Sequence, residues 1–223
     1  MARRYPTGST PHSGRAARRR GTLAVCVLCL AGAAAGPGAA AARATRGGAV
    51  QLHSGQLTLR FSAKAFAALT RSSAGYFADT RSVTPVAPAM NPAAGDFTFP
   101  VASGRVNASA LTGRAVSRGG IEFTDVDYRE GKTFEFQLRA LTLNLSASPA
   151  ELVATFVGAT TDSGIAIATV DSNRAHHVAH HGSVSISGLT LQLTNAGQEA
   201  FNLQTSGFRF GETVGTLSLA GRD

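Results

Sequence analysis

Four imidazoles stand within six residues in His176-His177-Val178-Ala179-His180-His181. A neutral imidazole is the side chain that most often ligates transition metals near neutral pH. What the cluster can hold depends on the backbone that carries it. On a helix, His176 with His180 and His177 with His181 form i,i+4 pairs able to grip one ion, and Asn173 and Gly182 would bound that helix. On a strand the same pairs stand about 13 Å apart, too far for a shared ion. No carboxylate sits inside the cluster to orient an imidazole. The sites to test are therefore His176, His177, His180 and His181 for a metal ion, and His176 and His177 for haem, against a solvated connection that binds nothing.

Tyr76 and Tyr128 supply phenols, which as phenolates can ligate ferric haem or, unionised, can cover a sheet edge. Asp125 and Asp127 share one strand face and could ligate calcium, although a solvent-facing polar stripe explains them equally simply. Glu122 and Glu135 fall in the same expected hairpin, the one place where paired carboxylates could do acid–base work. There is no Gly-x-Ser-x-Gly elbow, no Ser-x-x-Lys and no glycine-rich phosphate loop after a strand. An enzyme is not expected.

Most of these groups lie in a chain that the first 44 residues would deliver elsewhere. An Arg-rich start, an apolar run from Leu23 to Ala35, and small residues down to Ala42-Arg43-Ala44 read as a secretory signal peptide cleaved after Ala44. That leader carries 7 of the 21 basic residues and none of the 13 acidic ones, so residues 45–223 hold 14 basic against 13 acidic. The high overall charge then belongs to the leader, and nucleic acid is not an expected partner. Both cysteines, Cys26 and Cys29, also lie in the leader. Disulfides, Cys-ligated zinc and Cys nucleophiles are thereby excluded from the exported chain. No second apolar span follows, so a secreted or cell-surface domain with an envelope or cell-wall partner is expected.

The elements that would position the candidates are mostly strands. Leu57-Thr58-Leu59-Arg60-Phe61-Ser62 returns as Leu141-Thr142-Leu143-Asn144-Leu145-Ser146 and as Leu189-Thr190-Leu191-Gln192-Leu193-Thr194. Each copy alternates apolar and polar residues and ends at a hydroxyl. The first and third copies enter short helices, Ala63 to Ser72 with Ser62 as its cap and Asn195 to Asn202, and read as corresponding edges of one domain. Pro85, Pro88 and Pro92 leave room for one edge strand near Val83 to Val86. Ile121 to Leu138 forms a hairpin reversing at Glu130-Gly131, and Phe208 to Leu219 supplies closing strands. Short strands with Gly-rich turns predict an all-β antiparallel sandwich or barrel-like domain over residues 45–223, with two or three short helices.

Phe97-Thr98-Phe99-Pro100-Val101, Gly104-Arg105-Val106, Leu111-Thr112-Gly113 and Gly119-Gly120-Ile121-Glu122-Phe123 together resemble the HtaA-type domain of secreted actinobacterial proteins. The closing Leu-Thr-Leu strand, the short helix after it and Gly211 to Leu219 extend that resemblance through the exported chain. It implies a mainly β cell-surface component of haem uptake, in which Tyr and His contact the haem. The chain departs from the family in having no Trp and no Ser-Phe-x-x-Tyr-like opening. The resemblance favours an exported, non-enzymatic haem-binding domain; the alternatives are a structural or adhesive envelope module without a small ligand, a His-cluster metal binder, or a hydrolase.

Overall fold

Strong period-two alternation becomes strand almost wherever it occurs. The computed structural model describes residues 48–71, 80–128, 130–205 and 207–223. In chain order the elements are β1 (Val50–Leu52), β2 (Ser54–Phe61), α1 (Ala63–Thr70), β3 (Thr80–Val86), β4 (Met90–Ala93), β5 (Asp96–Asn107), β6 (Thr112–Ser117) and β7 (Gly120–Asp127). There follow β8 (Lys132–Asn144), β9 (Glu151–Val157), β10 (Thr161–Asp171), β11 (His176–His180), β12 (Ser183–Leu193), α2 (Asn195–Gln204) and β13 (Thr213–Arg222).

Eight strands close on themselves in the order β5, β2, β13, β12, β10, β9, β8, β6, every neighbouring pair antiparallel. The small strand β6 completes the ring, pairing Val106 with Gly113 on one side and Ala115 with Leu143 on the other. Closure removes the unpaired backbone edge that an open sheet must protect. The sandwich-or-barrel alternative therefore resolves to a barrel, with two helices among the described residues.

Register fills the interior. Leu57 pairs with both Phe99 and Leu219, and Leu59 with both Phe97 and Leu217, all six at most 3% exposed. The recurring Leu-Thr-Leu motifs thus form β2, the end of β8, and β12. The first and third are not edges: they flank β13 on either side inside the ring. Only Thr213–Arg222 of the closing segment is strand; Phe208 is buried in the connection before it and Phe210 is exposed there.

Each Leu-Thr-Leu strand beside β13 runs into a helix through its terminal hydroxyl. Ser62 Oγ accepts from the Ala65 N–H (3.1 Å), and Thr194 Oγ1 accepts from the Gly197 N–H (3.0 Å). The second helix is capped by Thr194, one residue before the Asn195 start expected from spacing. Lys64 on α1 donates to Glu212 Oε1 at 2.6 Å, tying that helix to the start of β13. The Lys64 hydrogen bond, opposed by burial and helped by the Arg209 N–H, holds the Glu212 carboxyl below its ordinary pKa. A depressed carboxylate stabilises the fold above the unfolded range near ~4.3 and loses that contribution as pH falls through its folded value. Glu212→Gln is therefore expected to lower Tm at pH 7, with the gap to the parent closing below about pH 4; thermal melts across pH 3–7 test this.

β8 does more than close the ring. Of its 13 residues, those from Gln137 to Asn144 pair with β9 along one side. Along the other they pair first with β7, from Lys132 to Arg139, and then with β6, from Thr142 to Asn144. Ala140 sits at the change of partner with φ +50°, its N–H bonded to the Gly119 carbonyl at 3.0 Å. The β9 register shifts at the same point, so one extra residue is accommodated there as a bulge. Consequently β7, with β3 beyond it, leaves the ring as a wall of its own. β3 ends the sheet, as its proline-bearing sequence predicts.

Candidate functional site

Antiparallel register decides what the wall shows. Residues directly opposite share a face, so Pro85, Ile121, Leu138 and Phe156 make one row across β3, β7, β8 and β9. Val83, Phe123 and Phe136 make the next row, and Arg81, Asp125 and Phe134 the outermost. Phe123 and Phe136 stack with centroids 4.6 Å apart, and Phe136 stacks on Phe156 at 5.3 Å. Phe201 on α2 meets Phe123 at 5.6 Å and, on its other side, Phe61 of the barrel at 6.0 Å. A continuous aromatic chain therefore links barrel, helix and wall.

Between α2 and this wall lies a groove of two adjoining depressions. The first, about 270 Å³, is lined by Leu138, Ile165, Ile167, Ala196 and Ala200 among others, and Glu199 stands at it. The second, about 500 Å³, is lined by Phe134, Phe136, Asn202, Asp125 and Glu135 with the Gly158–Thr160 turn. Phe156 and Leu203 belong to both. Phe134 and Leu203 are 57% and 60% exposed, large apolar side chains left open on opposite sides of one groove. Size, apolar lining and a few polar groups are the ordinary features of a small-molecule site.

The ionisable groups of the groove are acidic. Asp125 Oδ2 accepts from Arg81 Nε at 3.1 Å, and Arg81 Nη1 also donates to Thr205 Oγ1 at 3.3 Å, joining the wall to the end of α2. Asp125 Oδ1 is buried and has no hydrogen-bond partner among the described residues. An unsatisfied buried acceptor costs on the order of 1–3 kcal/mol and is a natural contact for a donor brought by a ligand. Glu135 and Glu199 are exposed at the rim.

The candidates from the sequence fall elsewhere. His176 to His180 form β11, an extended strand, so the helical i,i+4 pairs do not exist and each such pair is spread along the strand. His181 follows in the turn to β12, its ring 4.2 Å from that of His180. The cluster adjoins the start of β12, whereas α2 leaves its end; 11 residues of strand separate them by about 33 Å. These histidines do not reach the groove. Tyr128 lies just past the end of β7, 56% exposed. Tyr76 lies outside the described residues. Asp125 and Asp127 do share a face, but Arg81 occupies the first, and Asp127 Oδ1 accepts the Glu130 N–H at 3.2 Å. Glu122 and Glu135 share the face of the hairpin turned away from the Phe123–Phe136 row, where Glu122 is already engaged, accepting from Gln137 Nε2. Among the described residues no three His, Cys, Asp or Glu side chains gather around a common point.

Alternation in β8 sets Phe134, Phe136 and Leu138 on one apolar face. What alternation does not reveal is that the wall outruns the barrel, leaving Phe134 uncovered. The signal available was the length of β8, too long for every residue to face the ring interior.

The chain is a closed antiparallel β-barrel domain carrying an aromatic groove under its second helix. The HtaA family model (Htaa) matches residues 35–207, more than half of the chain, and the chain belongs to that family. Similar solved structures come from Corynebacterium glutamicum. The C-terminal domain of HtaA aligns with TM-score 0.57 at 17% identity, covering 78% of this chain and 98% of that one. The N-terminal domain of HtaA aligns at 0.51 and 18%, covering 77% and 98%. The heme binding protein HtaB aligns at 0.51 and 14%, covering 78% and 95%. Identities this low show the shared fold. A search of curated proteins finds no match. Among the described residues no helix is long and apolar enough to cross a membrane.

The groove suits the faces of a haem better than its iron. Stacked phenylalanines and branched aliphatics fit a flat macrocycle, but none of the lining residues is His, Tyr, Cys or Met, the side chains that ligate haem iron. Its ionisable lining is carboxylate, which repels propionates. As lined by these residues, the groove does not fit a coordinated haem.

Proposed function

We propose that this chain is an exported, non-enzymatic binding domain of the bacterial cell surface, its leader removed after Ala44, and that its groove takes the apolar face of a flat macrocycle without ligating a metal at its centre. The observation that carries the reading is the exposed pair Phe134 and Leu203, facing one groove lined by the stacked rings of Phe136 and Phe156, with Phe123 buried behind Phe136. Burying both side chains against a ligand is worth about 1.5–3 kcal/mol each if complete. Membership of the HtaA family supports haem as the ligand to try first. Tyr76 and Tyr128 remain the phenols to test against the iron.

Hemin titration followed in the Soret region is the experiment. Saturable binding is expected, with Phe134→Asp and Leu203→Asp each weakening it at least about tenfold, a loss of about 1.4 kcal/mol. Tyr76→Phe and Tyr128→Phe report separately, through the shape of the iron-sensitive bands, whether a phenolate contributes. Absence of saturable binding would leave the structural or adhesive envelope module as the reading.

A further inference from the structure

The strand β11 holds four features that the groove does not use. It pairs with β12 alone among the described residues, all five of its residues are exposed, its sequence is His-His-Val-Ala-His, and Val178 at its centre is 63% exposed. We infer that β11 is a metal-dependent dimerisation edge, on which two copies of this chain pair antiparallel about Val178 and hold zinc or a similar divalent transition ion between His176 of one copy and His180 of the other. This is independent of the groove and of its ligand.

The backbone sets the register. His180 and Ser183 face each other across the two-residue turn His181-Gly182, both with positive φ (+34° and +77°). Such turns close on a hydrogen-bonded pair. The Gly182 carbonyl accepts instead from the Asp223 N–H at 2.8 Å, on the β13 side, which confirms the alternation. Hence the N–H and C=O groups of His176, Val178 and His180 point toward β12, and those of His177 and Ala179 point outward. An antiparallel copy centred on Val178 matches His177 with Ala179 of the partner as the hydrogen-bonded pairs, so all four outward groups of each strand find partners.

In that register His176 lies directly opposite His180 of the second copy, in a pair without mutual backbone bonds, where side chains approach closest, with Cβ atoms about 4.5–5.5 Å apart. Two imidazoles at that separation on one face can close on a single ion, with Zn–N near ~2.0–2.1 Å. Two-fold symmetry makes the site twice. His181, its ring 4.2 Å from His180, stands next to each as a third imidazole. The i,i+4 spacing that is too wide within one strand thus becomes the right spacing between two.

Metal is required because the strand is short. Five residues a side fall well below the roughly 1,000 Å² of buried surface that a stable interface needs. Pairing alone would not hold, and two bridging ions supply what the area lacks. Acid opposes the assembly, since an imidazole must be neutral to ligate.

The test is sedimentation or light scattering of the protein purified without a histidine tag. With zinc at pH 7.5 the mass should double; chelator, or pH 5, should restore the monomer. His176→Ala and His180→Ala should each raise the zinc midpoint at least tenfold. Ala179→Pro, which removes an outward N–H and leaves the β12 ladder intact, should prevent pairing. His177→Ala, whose side chain lies on the other face, should not. A monomer at saturating zinc overturns the inference. So does a dimer that tolerates His176→Ala and His180→Ala, or one lost equally with His177→Ala, which would mark an unspecific histidine tract.

Discussion

Phe201→Ala is expected to remove about 3–5 kcal/mol of stability, a large share of what a domain of this size has. The ring is 3% exposed and touches Phe61 of the barrel, Phe123 of the wall and Phe208 of the connection to β13. Three separate parts of the fold lose the same neighbour at once. Local collapse cannot fill the space, because Phe61 and Phe123 are held in paired strands by backbone ladders. The lost transfer energy and the cavity therefore add. Urea unfolding should show a lower midpoint with an unchanged slope. The groove should suffer as well, since α2 rests on that ring; hemin affinity in Phe201→Ala should fall further than in Phe201→Leu.

Gly197→Ala should destabilise by about 3 kcal/mol, although alanine is the better helix former by about 1 kcal/mol. Gly197 is the third residue of α2, where the helix lies directly on β10. A Cβ built there would overlap the Ile167 carbonyl oxygen. That oxygen already accepts the Thr194 N–H, and Thr194 Oγ1 donates to the Ala166 carbonyl. The obstacle is backbone on both sides, so no rotamer change relieves it. Either α2 lifts, losing its cap contacts, or β10 bends. A drop in Tm together with reduced helical circular dichroism would show the first; a change in Tm below about 1 °C would refute the close approach.

Much of the barrel could be read from residue patterns, for local reasons. Leu57, Leu59 and Phe61 alternate because one side of β2 faces the barrel interior, and hydroxyls at Ser62 and Thr194 end strands because they cap helices. The partner of each strand could not be read this way. That β2 and β12 flank the same strand, and that β6 closes the ring through Arg114 to Val116, depend on pairings between residues far apart in sequence. The groove was invisible for the same reason: Phe134 and Leu203 are ordinary apolar residues until β8 outruns the ring and α2 lies across it. The histidines presented the opposite case. Their types announced chemistry, but only the backbone decides between helix and strand, and it made them an edge.

Ala140 separates two regimes of motion. Inside the ring every strand has two neighbours, so exchanging one amide requires breaking a closed circuit. Beyond the bulge, β3 and β7 pair into the ring through β8 alone, while β3 packs against α1 and the Phe201 contact and the Arg81–Thr205 bond tie the wall to α2. Amides of β3 and β7 are therefore expected to exchange through an opening that costs less free energy than global unfolding, which hydrogen exchange compared with the ring strands would test. A ligand trapped under α2 would leave at a rate set by that opening, so residence time and fold stability can be tuned separately in this chain.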